Sequence, residues 1–161
     1  MNIKAIGLLA ALVVLGACTD KNAANTGTTT GTGGTAGMVG GAGPGSQQDL
    51  AANVGDRVFF GYDQTNLNDE ARQTLDRQAA WLQRYPQVTV QMAGNCDERG
   101  TQEYNLALGQ RRANAARDYL VAHGVSGARV TTISYGKERP VALGSDEQAY
   151  AQNRNAITSV Q

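Results

Sequence analysis

Cysteine and histidine are almost absent from this sequence, and their scarcity excludes several classes of protein. The chain of 161 residues has two cysteines and one histidine. No group of Cys, His and acidic residues has the spacing of a metal site, and no glycine-rich loop has the form that cradles phosphates. Fourteen basic residues balance fourteen acidic ones, which argues against a nucleic-acid surface. We therefore expect no metal, no cofactor and no nucleic-acid partner.

Apolar runs long enough to span a bilayer are also missing. The run Ile6–Leu15 follows one positive charge, Lys4, and leads to small residues just before Cys18. A transmembrane helix needs about 20 apolar residues. Residues 1–17 are therefore predicted to be a secretion signal, and the mature protein is predicted to be exported.

The tetrapeptide Leu15-Gly16-Ala17-Cys18 ends this run, and it resembles the bacterial lipobox. The resemblance implies that Cys18 is acylated and, because Thr19 rather than aspartate follows, that the lipid lies in the outer membrane. The alternative is an ordinary cleavage site beside an incidental thiol. If Cys18 carries lipid, Cys96 has no partner within the chain, and a disulfide framework is excluded.

Large apolar side chains are nearly absent from the next segment, residues 18–48. Between Lys21 and Gly45 there are nine glycines and six threonines, and such a composition buries too little surface to offset the entropy of ordering. We predict a disordered tether here, followed by one folded domain over residues 49–161.

Within the domain, two kinds of hydrophobic periodicity alternate. Strand patterns cover residues 57–62, 88–92, 130–135 and 155–160, and helix patterns cover 66–85, 101–123 and, more weakly, 145–154. The order βαβαβ(α)β predicts an α/β sandwich with a mixed sheet and its helices packed on one face.

The helix pattern over residues 101–123 contains an anomaly. Helical spacing places Tyr104, Leu108 and Ala122 on an apolar face, yet Arg112 and Asn105 project with them, whereas Arg111 lies at the polar margin. An unpaired buried charge costs several kcal/mol. Arg112 is therefore expected to have a partner or to reach a cleft.

Asp97, in the turn after the second strand, is a candidate partner for Arg112. Ligands of such sheets bind beyond the carboxyl ends of the strands, so the two residues could form a polar site. An internal salt bridge between Asp97 and Arg112, without any ligand, explains the pattern equally well.

Four stretches of the domain resemble one family. GNCDERGTQEYNLALGQRRANAA (94–116) closely resembles the segment that defines the OmpA-like peptidoglycan-binding domain, and the match extends through VFFGYD, ISYGKERP and QNRNA. The resemblance implies that Asp97 and Arg112 hold meso-diaminopimelate of the cell-wall stem peptide. It implies binding roles also for Phe60, Gly61, Asn95, Asn105 and Arg154.

Diaminopimelate presents an ammonium and a carboxylate, which fit an acidic acceptor and an arginine fork. Strand alternation sends Phe59 and Phe60 to opposite faces, so one of them is expected in the core. Three positions depart from the family pattern: Asn95 in place of histidine, Cys96 in place of alanine or threonine, and Asn155 in place of a second arginine. Without a nearby base, a catalytic role for Cys96 is not expected.

The favoured function is binding and tethering rather than catalysis. The resemblance implies a protein with its lipid in the outer membrane and its domain on peptidoglycan. It also implies a role in the Tol-Pal system during cell division, with TolB as a partner. The alternative is a peptidoglycan-cleaving hydrolase, which the acidic residues near Asp97 could suggest. A flagellar stator-like protein is disfavoured, because such proteins have a transmembrane helix where this chain has a lipobox.

Overall fold

The computed structural model describes residues 43–161. The predicted signal peptide, the predicted lipidation site Cys18 and most of the predicted tether lie outside these residues. Between residues 43 and 161, no helix has the length and apolarity required to cross a bilayer.

The described chain contains four strands and four α-helices. A short helix α1 (Gln47–Asp49) continues into a π-helical turn (Leu50–Val54), and a 3-10 turn (Gly127–Arg129) precedes β3. The remaining elements, in chain order, are β1 (Arg57–Phe59), α2 (Asp69–Arg84), β2 (Val90–Asn95), α3 (Gln102–Ala122), β3 (Val130–Gly136), α4 (Glu147–Asn153) and β4 (Asn155–Val160).

The four strands form one mixed sheet in the order β1-β4-β2-β3. The two strands joined by α3, β2 and β3, are parallel, whereas β4 runs antiparallel to both β1 and β2. The core lies between the sheet and helices α2 and α3, with Leu75, Leu120 and Met92 fully buried. The predicted element order and mixed sheet are confirmed.

Capping residues set the helix boundaries. The Asn68 side chain accepts from the Ala71 amide at the start of α2. Thr101 caps α3 in the same way, and Gly124, with φ 90°, follows its end. The strands differ more from the prediction. β1 ends at Phe59, because Phe60 leaves the ladder after its amide donates to the Arg154 carbonyl. β2 begins at Val90 and continues to Asn95, which pairs with Gly136 of β3.

The buried face of α3 is rotated relative to the predicted one. Arg112 and Asn105 are buried as expected, but Tyr104 is 45% exposed and Ala122 is also exposed. The physical reason is close packing through small residues. A methyl group added to Gly94 of β2 would overlap the Gly109 carbonyl of α3, so this helix contacts the sheet with its glycine and alanine side, and its tyrosines lie at the margins.

Within the described residues, regular contacts are already present before the expected domain start at Asp49. The Ser46 side chain caps α1, and the Gln47 side chain accepts from the Val160 amide at 2.8 Å. Asp49 accepts from the indole of Trp81 at 2.9 Å. Gln47, near the end of the segment interpreted as a tether, therefore contacts the sheet, and Asp49, the first residue of the predicted domain, contacts α2.

Candidate binding cleft

A cleft of about 170 Å³ opens at the carboxyl end of β2, where the loop after β1 meets the start of α3. This is the edge at which the alternating pattern of strands and helices placed the site. Three of the predicted site residues, Asp97, Asn105 and Arg112, line it. The other lining residues are Tyr62, Asp63, Cys96, Arg99, Gly100, Tyr104 and Leu108.

Arg112 is the most buried charged residue of the cleft, with no exposed surface. Its guanidinium donates to three main-chain carbonyls: Nε to Gln64 at 2.9 Å, Nη1 to Asn95 at 2.9 Å and Nη2 to Gly61 at 3.0 Å. Burial lowers the pKa of Arg112, although a guanidinium stays protonated at physiological pH. Since a guanidinium has five N–H groups, two remain beyond these three bonds.

The predicted residues Phe60, Gly61 and Asn95 therefore support Arg112 from behind the cleft. The Phe60 ring lies 5.2 Å from the guanidinium carbon and belongs to the core, whereas Phe59 is 41% exposed. One phenylalanine in the core and one outside is the predicted arrangement. Gly61 and Asn95 contribute carbonyl groups, and neither lines the cleft.

Asp97 does not pair with Arg112, so the internal salt bridge considered from the sequence is wrong. Its carboxylate accepts instead from Arg99, with Nε at 3.2 Å from Oδ1 and Nη2 at 2.6 Å from Oδ2, and from Arg154 Nη1 at 3.4 Å. Burial on its own would raise the pKa of Asp97, but the side-chain and backbone hydrogen bonds from Arg99 bring that pKa below its ordinary value. Asp97 is thus a carboxylate held ionised by two arginines.

Arg99 is the exposed member of this cluster, with 34% of its side chain accessible against 5% for Asp97. Its guanidinium lies between two aromatic rings, 4.2 Å from the centre of Tyr62 and 4.4 Å from that of Tyr150. Glu147 lies 3.7 Å from its Nη1. Arg99 is therefore held by stacking and by charge, without being buried.

Arg154 connects the cleft to the last strand. It donates to the Phe60 carbonyl at 3.1 Å, to Asp97 and to Glu147 at 2.8 Å. Its side chain is 8% exposed and does not line the cleft. Arg154, one of the predicted binding residues, is placed where it orients Asp97.

Asn105 sits at the base of the cleft on the first turn of α3. Its amide nitrogen donates to the Arg99 carbonyl at 2.7 Å and to the Thr101 carbonyl at 3.1 Å. These bonds hold the turn Asp97–Gly100, the DERG motif, against α3. Because both bonds use the nitrogen, the amide oxygen of Asn105 is the end left for the cleft.

Tyr62, Asp63 and Tyr104 also line the cleft. Asp63 has a left-handed backbone, with φ 54°, and its carboxylate accepts from the Tyr104 hydroxyl. That hydrogen bond raises the pKa of Tyr104. The bond joins the loop after β1 to α3 across the mouth of the cleft.

Cys96 is buried at 3% exposure, and its thiol donates to the Asn105 carbonyl at 3.3 Å. Burial raises the pKa of this thiol, which lowers its nucleophilicity at neutral pH. Between residues 43 and 161 no group of three or more His, Cys, Asp and Glu residues could hold a metal ion. The charged and polar side chains that line the cleft can form ion pairs and hydrogen bonds.

Two of the three departures from the family pattern contact each other. Asn95 Nδ2 donates to Asn155 Oδ1 at 2.8 Å, and Asn155 Nδ2 donates to the Gln152 carbonyl. Both residues are buried. Asn155 therefore closes a neutral buried contact behind the site.

Sequence reasoning missed Arg99, Tyr62, Asp63 and Tyr104. A signal for Arg99 was present, since it belongs to the DERG motif, but a residue two positions from Asp97 was not considered as its partner. Tyr62 and Asp63 directly follow the predicted Phe60 and Gly61. Nothing in the sequence indicated that Tyr104 would leave the core to bond across the cleft.

Comparisons with known proteins agree on the kind of domain that carries this cleft. The sequence model of the OmpA family matches residues 59–154. A peptidoglycan-associated lipoprotein of Rhizobium meliloti (strain 1021) is 52% identical over 153 residues, which are 95% of this chain and 84% of the relative. A peptidoglycan-associated lipoprotein of Brucella suis biovar 1 (strain 1330) is 51% identical over 154 residues, 96% of this chain and 89% of the relative.

Solved structures share the architecture. The crystal structure of the peptidoglycan-associated lipoprotein from Burkholderia pseudomallei superposes with a TM-score of 0.66 and 42% identity, covering 70% of this chain and all of that one. The C-terminal domain of Helicobacter pylori MotB gives a TM-score of 0.62 at 20% identity, covering 66% of this chain and 84% of that one. The second likeness shows a common fold.

Proposed function

Because this chain belongs to the OmpA family, and about half of its residues are identical to those of peptidoglycan-associated lipoproteins over nearly its whole length, we propose that it binds peptidoglycan. It acts as an outer-membrane lipoprotein without enzymatic activity, anchored through Cys18 and with its folded domain in the periplasm. In this function the domain tethers the outer membrane to the wall.

The cleft is the proposed binding site, and the ligand is the free end of meso-diaminopimelate in the stem peptide. That end is a zwitterion, with one ammonium and one carboxylate. Asp97 is an ionised carboxylate lining the cleft, and Arg112 has N–H groups beyond its three carbonyl bonds. The observation that carries the proposal is that an anionic side chain, Asp97, and a cationic side chain, Arg112, line the same cleft of about 170 Å³ without pairing with each other.

The surrounding residues support recognition rather than catalysis. Asn105 offers an amide oxygen at the base of the cleft, while Phe60, Gly61 and Asn95 hold Arg112 and Arg154 orients Asp97. A wall-cleaving hydrolase of the usual kind uses one carboxyl group with a raised pKa as its acid. The pKa of Asp97 is lowered instead, which suits a carboxylate that stays charged to bind an ammonium.

Binding to isolated wall sacculi tests this function. The full chain is incubated with sacculi of diaminopimelate type, and bound and free protein are measured after centrifugation. Replacing Asp97 by Asn should weaken binding by roughly 30-fold or more, since loss of a buried charged partner costs about 2 kcal/mol or more. Asp118→Asn is the matched control, because Asp118 lies on α3 away from the cleft and its side chain is 68% exposed.

Two results would contradict the proposal. One is equal binding of the parent and the Asp97→Asn protein to sacculi, which would place the wall contact elsewhere. The other is release of soluble wall fragments by the purified chain, which would favour the hydrolase. Walls cross-linked through lysine lack the extra carboxylate and are expected to bind weakly.

A role in the Tol-Pal system, with TolB as a partner during cell division, is proposed from family membership alone. Purified TolB should be retained by the immobilised full chain. Failure of retention at physiological salt would remove TolB from the proposal and leave wall binding unaffected.

A further inference from the structure

The proposed ligand meets a difficulty in the unliganded cleft: Asp97 is already occupied. Arg99 engages both oxygens of the carboxylate, Oδ1 through Nε and through its own backbone amide and Oδ2 through Nη2. A two-pronged arginine pair of this kind is among the stronger ion pairs in proteins. A ligand ammonium can pair with Asp97 only if the Arg99 guanidinium moves away from that carboxylate.

Arg99 is the member of the cluster that can move. Arg112 and Arg154 are buried and bonded to main-chain carbonyls, whereas a third of the Arg99 side chain is exposed. The rings of Tyr62 and Tyr150 flank the Arg99 guanidinium at 4.2 and 4.4 Å. Since a cation within about 6 Å of a ring centre is still attracted to that ring, a small displacement of the Arg99 guanidinium away from Asp97 does not require the loss of both aromatic contacts.

The charges that line the cleft balance. Asp63 and Asp97 are negative, and Arg99 and Arg112 are positive. A zwitterionic ligand leaves this balance unchanged, because its carboxylate offers a new partner to the arginine that its ammonium displaces. A ligand with an amine alone adds an uncompensated positive charge and leaves Arg99 without a carboxylate.

On these grounds we propose that Arg99 is the residue that determines specificity in the cleft: it pairs with Asp97 when no ligand is bound, and it joins Arg112 in binding the ligand's carboxylate when the ligand's ammonium takes its place at Asp97. The inference rests on the proposed function. It goes further, because it explains how the cleft selects a zwitterionic head group over a simple amine: Arg99 exchanges Asp97 for the ligand's carboxylate, which an amine does not provide.

Two stem peptides test the exchange, one ending in meso-diaminopimelate and the other carrying L-lysine at the same position. Affinities of the full chain for both peptides are measured by calorimetry for the parent, Arg99→Gln and Arg99→Lys. The lysine peptide should bind more tightly to Arg99→Gln than to the parent. The diaminopimelate peptide should bind no more tightly to Arg99→Gln than to the parent. The affinity ratio should therefore fall by roughly tenfold or more.

The second variant separates charge from structure. Arg99→Lys keeps one positive charge but loses the two-pronged geometry, so its ratio should lie between those of the parent and Arg99→Gln. Arg111→Gln, an exposed arginine on α3, is the matched control and should keep the parental ratio. In the free protein, the pKa of the Asp97 carboxyl, followed by carbon-13 NMR, should rise in Arg99→Gln, because the hydrogen bonds from Arg99 lower it.

The outcomes distinguish the two proposals. If the parent prefers the diaminopimelate peptide and Arg99→Gln keeps that preference within twofold, the exchange is wrong and the binding site stands. The same holds if Arg99→Gln prefers diaminopimelate more strongly than the parent does. If the parent binds neither peptide, the proposed function fails, and this inference fails with it.

Discussion

Replacing Arg112 by alanine is predicted to damage the fold before it damages binding. The residue has no exposed surface, and its guanidinium satisfies the carbonyls of Gln64, Asn95 and Gly61. A buried acceptor left unsatisfied costs about 1 to 3 kcal/mol. Asn95 is buried, whereas Gly61 is half-buried and Gln64 is exposed, so water can replace part of the lost bonds, and we expect a loss of about 2 to 5 kcal/mol in the free energy of unfolding.

Urea unfolding of the full chain, followed by the fluorescence of Trp81, measures this loss as a shift of the midpoint. A loss of this size is a large part of the 5 to 15 kcal/mol typical of a domain. Arg111→Ala is the control: the neighbouring arginine is exposed, and its removal should change stability by less than about 0.5 kcal/mol. If Arg112→Ala unfolded at the parental midpoint, the three carbonyl contacts would contribute nothing, and Arg112 would be a ligand residue only.

Three further predictions concern other parts of the chain. In urea titrations, the stability difference between the parent and Asp97→Asn should be largest at neutral pH and should shrink as pH falls below about 4. The reason is that a carboxyl group with a lowered pKa in the folded state stabilises the fold only while it is charged. A difference that stays constant with pH would contradict the ion pairing of Asp97. Gln47→Ala should lower the urea midpoint, since Gln47 accepts from the Val160 amide, whereas deleting residues 26–42 should leave the midpoint unchanged. Equal effects of the two changes would contradict a folded domain that begins after residue 42. Cys18→Ser should yield protein that fractionates with the soluble periplasm, and membrane association at high salt would remove the proposed anchor.

Much of the architecture followed from periodicity. Alternating strand and helix patterns gave the element order, and the caps Asn68 and Thr101 fixed where two helices begin. The face of α3 was harder to predict, because hydropathy favours the large side chains of Tyr104 and Tyr119. In the structure their hydroxyls bond to Asp63 and Asp76 at the margins, and small residues make the contact with the sheet.

The partners of Arg112 could not be predicted from residue types. Two of its three acceptors, the carbonyls of Gly61 and Gln64, lie 51 and 48 positions away, and every residue has a carbonyl. The sequence therefore indicated that a buried arginine needs compensation, and suggested a carboxylate, but gave no sign that the main chain would supply it. Asp97, which the sequence offered as one candidate partner of Arg112, pairs instead with Arg99, two residues away.

Residues 45–47 and the cleft lie at opposite ends of β2. Gly45 lies against Tyr85 and Val88, just before β2 begins, and Gln47 bonds to Val160, which pairs with the first residue of β2. The cleft opens after the last residue of that strand, and six strand residues span about 20 Å. The chain therefore enters the domain at one pole and the proposed ligand binds near the other.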